Sequence, residues 1–156
     1  MNLTQAKRLL KLADYLAAHR EPGEGEEGVG FDMNIVFSSD HDLLELKQSE
    51  WRQRHPCGSA ACVIGHAGLM PEFQKLGLVA NGAGPGGGAG EIALNGNAMS
   101  LPEAGQMFFG LSQDEGCDLF LDGFDMTAAQ KAIQIRVLVR NHHPDLFPLA
   151  KKGPRS

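Results

Sequence analysis

The feature that most constrains the fold is a run of small and apolar residues, SAACVIGHAGL, at positions 59–69. It contains no Asp, Glu, Lys or Arg, which is typical of a segment buried on all sides. Pro71 ends the run, and Gly77 closes the short turn that follows. We therefore predict a buried helix over residues 59–69 that is thin enough for the terminal helices to pack closely across it.

Further helices are predicted on both sides of this run. Near the N-terminus, Leu3, Leu9 and Leu16 recur at helical spacing with charged residues between them. In the C-terminal third, a Ser or Thr is followed three residues later by Glu or Gln in three places, which is typical of the capping box that starts a helix. The three pairs are Ser100 with Glu103, Ser112 with Glu115, and Thr127 with Gln130. The last helix runs to about Asn141, before Pro144.

The remaining elements are strands and loops. LVAN at 78–81 and EIALNG at 91–96 predict a short β-hairpin that carries a glycine-rich loop. That loop contains GxGxxG, but a strand-like segment follows it rather than the helix that a dinucleotide site needs. FDMNIVF at 31–37 predicts a short strand or an extended segment on the core. The expected fold is mainly α, of the α+β class. It is a compact single domain over residues 1–150 around the central small-residue helix (about 59–69), with mobile loops at 21–30 and 81–90 and a flexible tail at 151–156.

Composition excludes several kinds of partner. The chain has 19 acidic and 14 basic residues and a net charge of −5, which repels a phosphate backbone, so we expect no nucleic-acid partner. No uncharged apolar run approaches the roughly 20 residues that cross a bilayer, and the N-terminus lacks the apolar stretch of a secretion signal. Three cysteines, an odd number, favour reduced thiols. We expect a cytoplasmic protein without membrane association, whose oligomeric state the sequence leaves open.

Cys57 is the candidate nucleophile. On a helix that begins near Ser59 it would lie at the helix N-terminus, where the helix dipole lowers the pKa of a thiol. His41, which stands between two aspartates, is the candidate base, and His142 and His143 are alternatives. The backbone amides that follow Cys57 would then stabilise an oxyanion. The stretch PCGSAAC also resembles, in part, the cysteine-bearing helix start of papain-like proteases.

A zinc site is a further alternative. Cys62 and His66 are four residues apart and would share one face of the predicted helix, as two ligands of a zinc ion do. Cys57 could supply a third ligand, but no second closely spaced pair completes a tetrahedral site. The favoured interpretation of Cys62 is therefore an inert thiol in the core. No metal and no cofactor are expected, and a structural zinc site of Cys57, Cys62 and His66 is the weaker alternative.

Four segments in a fixed order carry a resemblance to a known family. They are FDM, CGSAACVIGHAGLMPEF, FFGLSQDEGCDLF and a final helix rich in Ala and Ile, from Phe31 to about residue 140. They resemble small uncharacterised proteins of bacteria and their phages that share the motif CG[ST]xxCxxG[WH]A. The residues on the motif are Cys57, Gly58, Ser59, Cys62, Gly65, His66 and Ala67. Many of those proteins have Trp where this chain has His66, so the resemblance implies packing at that position rather than metal binding.

The function expected from these observations is a non-enzymatic protein-interaction module of a bacterium or phage. It is favoured because no complete catalytic set is evident and an acidic surface suits a protein partner. The alternative function is a cysteine-dependent hydrolase or transferase with Cys57 as nucleophile and His41 as base. Reaction of Cys57 with iodoacetamide in the folded protein distinguishes the two, because only an activated thiol reacts fast.

Overall fold

Helices and two three-stranded sheets make up the fold in a computed structural model of the chain, which describes residues 1–23, 26, 28–33, 35–39, 59–82 and 90–147. The helices are α1 (Leu3–Ala17), α2 (Val63–Leu69), α3 (Pro71–Gln74), α4 (Leu101–Phe109), α5 (Gln113–Phe120) and α6 (Ala128–His142), followed by a short 3₁₀ helix (Pro144–Leu146). The strands are β1 (Gly30–Phe31), β2 (Phe37–Ser39), β3 (Ser59–Ala61), β4 (Leu78–Asn81), β5 (Glu91–Leu94) and β6 (Asn97–Met99). The α+β class predicted from the sequence is confirmed.

The helix starts predicted from capping signals are confirmed. Ser112 and Glu115 form a reciprocal capping box at α5, and Thr127 and Gln130 form one at α6. At α4, the Ser100 hydroxyl accepts a hydrogen bond from the backbone N–H three residues later, at 3.3 Å. Each cap satisfies backbone N–H groups that the first helical turn leaves without a partner. Local sequence signals therefore set where these helices begin.

The two terminal helices, α1 and α6, pack side by side in opposite directions. Arg136 of α6 donates to the Asp14 carboxylate at 2.9 Å, and the His143 ring bonds the Met1 carbonyl oxygen at 3.0 Å. Both helices bury apolar side chains, among them Leu9 and Leu16 of α1 and Ile135 of α6. This pairing differs from the expectation that both would pack across residues 59–69, because each terminal helix buries its apolar stripe mainly against the other.

The prediction of a helix that begins at Ser59 was wrong, because Ser59–Ala61 form strand β3 and α2 begins only at Val63. Strand β3 is the middle of its sheet, parallel to β1 and antiparallel to β2. The Cys62 N–H, just beyond the strand, donates to the Ile35 carbonyl at 2.7 Å. A short apolar run has the same pattern in a buried strand as in a buried helix, and here hydrogen bonds to distant segments decide between them.

Two glycines in α2 allow a close approach, although the neighbour is extended chain rather than another helix. A β-carbon at Gly65 would overlap the Val36 carbonyl oxygen, and one at Gly68 would lie 2.5 Å from the Ala80 backbone nitrogen. Helix α2 is therefore held against the segment before β2 and against β4. This packing buries the whole helix except Leu69, which is partly buried.

The segment predicted as one strand over 31–37 is instead divided between β1 and β2, which lie on either side of β3. Between them the chain turns, and Met33, Ile35 and Val36 are buried. The predicted hairpin is confirmed, since β4 pairs antiparallel with β5 and β6 extends the sheet. Its glycine-rich residues 83–89 and the tail at 151–156 lie outside the described residues. Within the described ranges, no helix is both long and apolar enough to cross a membrane.

A buried lysine joins α5 to α6. The Lys131 ammonium donates three hydrogen bonds to backbone carbonyls at the end of α5, to Asp118 at 3.2 Å, Leu119 at 2.9 Å and Asp122 at 2.8 Å. A cation is favourable at a helix C-terminus, where carbonyls lack intrahelical partners. Burial lowers the pKa of Lys131. These bonds fix the turn between α5 and α6, which forms one wall of the site described next.

Candidate functional site

An open cleft of about 680 Å³ lies between two walls of the fold. The first wall is the segment that follows α1 together with β1 and the residues after it. The second wall is the turn that precedes α6 together with the first residues of α6. Its main lining residues are His19, Glu21, Phe31, Phe124, Asp125 and Met126. The volume falls in the range of about 300–1,000 Å³ that is usual for ligand sites. We call this feature the acidic cleft, after the carboxylates that line it.

Glu21 fixes the first wall. Its carboxylate accepts a hydrogen bond from the Phe31 N–H, with N···O distances of 3.0 and 3.3 Å, and lies 3.3 Å from His19 Nε2. These contacts attach β1 to the end of α1. The Glu21 side chain is nevertheless well exposed at the mouth of the cleft. It therefore offers a carboxylate that solvent and a bound ligand can reach.

The second wall is a tight turn that presents an aromatic ring and a carboxylate. Gly123 has a φ of 77°, a conformation that suits glycine, and its carbonyl accepts from the Met126 N–H at 3.0 Å. Phe124 is 62% exposed, which is unusual for a ring of its size, and Asp125 is exposed beside it. Asp125 makes no ion pair with any residue in the described ranges.

His66 lies behind the first wall and is fully buried. Its ring stacks on Phe31, with centroids 5.9 Å apart, and meets the His19 ring edge-on at 5.0 Å. Nε2 lies 2.9 Å from the Gly30 carbonyl oxygen, and Nδ1 lies 3.2 Å from the Tyr15 hydroxyl. A carbonyl only accepts, so Nε2 carries the proton and Nδ1 accepts from Tyr15. Position 66 therefore packs as an aromatic residue.

Burial keeps His66 neutral. Loss of hydration lowers the pKa of His66 to about 4, with a smaller contribution from the nearby His19, while the bond to Gly30 opposes the shift. Burial also raises the pKa of Tyr15. Nε2 of His66 donates its proton to Gly30 and Nδ1 accepts from Tyr15, so the one free lone pair of the ring is not available to a metal ion or to a substrate proton.

Cys62 occupies the N-cap position of α2, where a helix dipole would favour a thiolate. The residue is 1% exposed, and burial raises the pKa of its thiol to about 11 despite opposing backbone hydrogen bonds. The effect of desolvation on the pKa of Cys62 is therefore larger than the opposing effect of the helix N-terminus. Cys62 is a protonated thiol in the core, and neither Cys62 nor Cys117 is in a disulfide.

The predicted site residues do not form one site among the residues that the structure describes. Cys57 and His41 lie outside the described residues, as does part of the zinc set. The expectation that a helix dipole lowers the pKa of the Cys57 thiol loses its basis, because the first described helix after Cys57 begins only at Val63. The alternative bases are engaged elsewhere: His142 pairs with Glu115 at 2.7 Å, and His143 bonds Met1. Among the described residues, no group of three or more His, Cys, Asp or Glu could hold a metal ion.

Sequence reasoning missed most of the acidic cleft. His19 lies just after α1, which ends at Ala17, and no spacing in the sequence marked it as part of a site. Glu21 lies at the start of the loop predicted as mobile, and Asp125 lies just before the predicted helix start at Thr127, where no periodic pattern marks it. No protein-family model, curated protein or solved structure matches the chain.

Proposed function

We propose that this chain is a non-enzymatic protein-interaction module and that the acidic cleft binds a basic segment of another protein. The observation that carries the proposal is the turn at Phe124 and Asp125, which exposes an aromatic ring beside a carboxylate without an ion-pair partner in the described structure. Exposed aromatic residues are typical anchors of protein interfaces. Glu21 supplies a second carboxylate on the opposite wall.

Charge supports a basic partner. The chain carries a net charge of −5, so its long-range field attracts cations. Within the cleft, the side chains of Glu21 and Asp125 are exposed, so a Lys or Arg of a partner can reach both carboxylates. Complementary charge of this kind increases the association rate and excludes acidic competitors.

The buried groups behind the cleft support a role in binding rather than catalysis. His66 is neutral with both nitrogens engaged, and Cys62 is protonated well above neutral pH. A general base must be within reach of a substrate proton and a nucleophilic cysteine must ionise. His66 does not meet the requirement for a general base, and Cys62 does not meet the requirement for a nucleophile.

Selection of random peptides displayed on phage tests the proposal. We expect the enriched peptides to be rich in Lys and Arg. Their affinity, measured by fluorescence polarisation, should fall about tenfold in Asp125→Lys, because a repulsive charge replaces an attractive one. Asp145→Lys is the matched control, since it makes the same charge change at an exposed site outside the cleft. Equal binding by both variants, or enriched peptides without basic residues, would contradict the proposal.

The cysteine-dependent hydrolase or transferase remains a separate proposal, because Cys57 and His41 lie outside the described residues. Iodoacetamide labelling with peptide mapping tests it directly. Fast labelling of Cys57 in the folded protein, with an apparent pKa well below that of a free thiol, would favour the enzyme. Labelling of Cys57 only after unfolding would exclude it.

A further inference from the structure

A second pocket of about 290 Å³ adjoins the acidic cleft, and Met33 and Phe124 line both. Among the described residues, the side chains that line it are apolar apart from the Cys62 thiol, and they include Val36, Phe120 and Leu121. We call it the apolar pocket. Because the same two residues border both spaces, one ligand can occupy them together.

The size of the apolar pocket matches a large side chain. A cavity of about 150 Å³ lined by Leu, Ile and Phe is large enough to hold benzene. A pocket of about 290 Å³ therefore has room for a leucine, methionine or phenylalanine side chain. A charged or amide side chain would lose its hydration here without gaining a partner, which disfavours its entry.

The mouth of the apolar pocket lies next to charge. Leu121 is 40% exposed and Phe124 is 62% exposed, so two apolar side chains remain in water when the pocket is empty. Asp125 follows Phe124 directly in the chain and lines the adjoining cleft. Neighbouring Cα atoms are about 3.8 Å apart. A bound segment could therefore contact Phe124 and Asp125 with side chains that are one or two residues apart in its own sequence.

We propose that the apolar pocket receives one large apolar side chain of the same partner segment whose basic residues bind the acidic cleft. The partner is then recognised by a Leu, Met or Phe placed next to Lys or Arg. This inference rests on the proposed function, and it adds the apolar anchor that the acidic cleft alone does not require. The charge of the cleft selects the basic residues, and the uncharged pocket selects the residue between them.

Two synthetic peptides test the anchor. The first is acetyl-Gly-Arg-Leu-Lys-Arg-Gly-amide, and the second has Ala in place of Leu. We expect the Leu peptide to bind the wild-type protein about tenfold or more tightly than the Ala peptide, as burial of a leucine side chain implies. Leu121→Trp places a larger side chain at the pocket mouth and should remove that difference between the two peptides. Leu76→Trp, the same change at another exposed leucine, is the control and should preserve the difference.

The outcomes separate this inference from the proposed function. Equal binding of both peptides, with Asp125→Lys still weakening both, would overturn the anchor and leave the acidic cleft as a binding site. Binding of neither peptide would overturn both proposals. Concentration-dependent dimerisation in sedimentation experiments that Leu121→Trp abolishes would also overturn the anchor, because a second copy of the chain would occupy the pocket.

A measurement on the wild-type protein covers the case in which Leu121→Trp does not fold. With ¹³C-methyl methionine, the Met33 methyl resonance reports on the wall between the two spaces. It should shift on addition of the Leu peptide and much less with the Ala peptide. Identical shifts with both peptides would overturn the anchor.

Discussion

Replacing His66 with glutamine is expected to remove a loss of stability that the wild-type protein shows between pH 6.5 and about 4. Burial lowers the pKa of His66 from its ordinary 6.5 to about 4. The neutral ring donates to the Gly30 carbonyl and accepts from the Tyr15 hydroxyl. Protonation would place a second N–H opposite Tyr15 and a charge in the core. Glutamine keeps an amide donor for Gly30 but does not titrate.

The sign and size of the effect follow from proton linkage. Between pH 6.5 and about 4 the unfolded chain protonates this histidine and the folded chain does not, so the unfolded state binds more protons. Stability is therefore fully present above pH 6.5 and falls as the pH drops through this window. The slope is at most about 1.4 kcal/mol per pH unit. Across the window the free energy of unfolding should fall by about 3 kcal/mol more in the wild type than in His66→Gln.

Urea unfolding followed by far-UV circular dichroism, at several pH values from neutral to about 4, measures this difference. The comparison uses slopes, so any constant loss of stability in His66→Gln does not affect it. Carboxyl groups such as Glu115 titrate alike in both proteins and cancel. His143→Gln, the same change at a less buried histidine, is the control substitution. Parallel curves for wild type and His66→Gln would refute the argument that burial keeps His66 neutral.

Three further results are expected. Gly65→Ala should lower the free energy of unfolding by about 2 kcal/mol or more in urea titrations, because its β-carbon meets a backbone carbonyl; Gly96→Ala, with nothing within 4 Å, should cost less, from its positive φ alone. Lys131→Met should lower it by about 2–4 kcal/mol, since three carbonyls lose their donor; a loss below about 0.5 kcal/mol would contradict that. Iodoacetamide should label the partly exposed Cys117 of the folded protein well before the buried Cys62, and the reverse order in peptide mapping would show that Cys62 is accessible.

Local chemistry made the helices predictable. A capping box is complete within four residues, so Ser112 with Glu115 and Thr127 with Gln130 could be identified without knowledge of the rest of the fold. The hairpin of β4 and β5 was equally accessible, since its two strands are close in sequence. Elements that depend on near neighbours in the chain were therefore predicted at the correct places.

The sheet around β3 was not predictable in the same way. Ala60 pairs with Gly30 on one side and with Ser38 on the other, and both partners are more than 20 residues away in sequence. Ala has a good intrinsic helix propensity, and tertiary hydrogen bonds override it here. The same long-range pairing divides residues 31–37 between two strands. The wrong helix start at Ser59 then led to the wrong premise about a dipole at Cys57.

The candidate site was predictable only in fragments. His66 was singled out because of its spacing from Cys62, but its true partners are Tyr15 and the Gly30 carbonyl. Every residue has a backbone carbonyl, whatever its side chain, so no sequence pattern could have indicated the hydrogen bond to Gly30. Asp125 belongs to a cleft only because the opposite wall lies across from it, and that placement depends on how α1 and α6 pack.

Burial decides which of these groups can act in solution. In the sequence, Cys62 and His66 look like candidate catalytic or metal-binding residues. Burial raises the pKa of Cys62 to about 11 and lowers the pKa of His66 to about 4, and each shift favours the neutral form. A thiolate nucleophile or a zinc–thiolate site needs the charged form of Cys62, which burial makes costly. Glu21 and Asp125, in contrast, lie at the surface, where a partner can reach their carboxylates. The same physical rule that disfavours a charged thiolate in the core therefore favours the rim of the acidic cleft for the binding function that we propose.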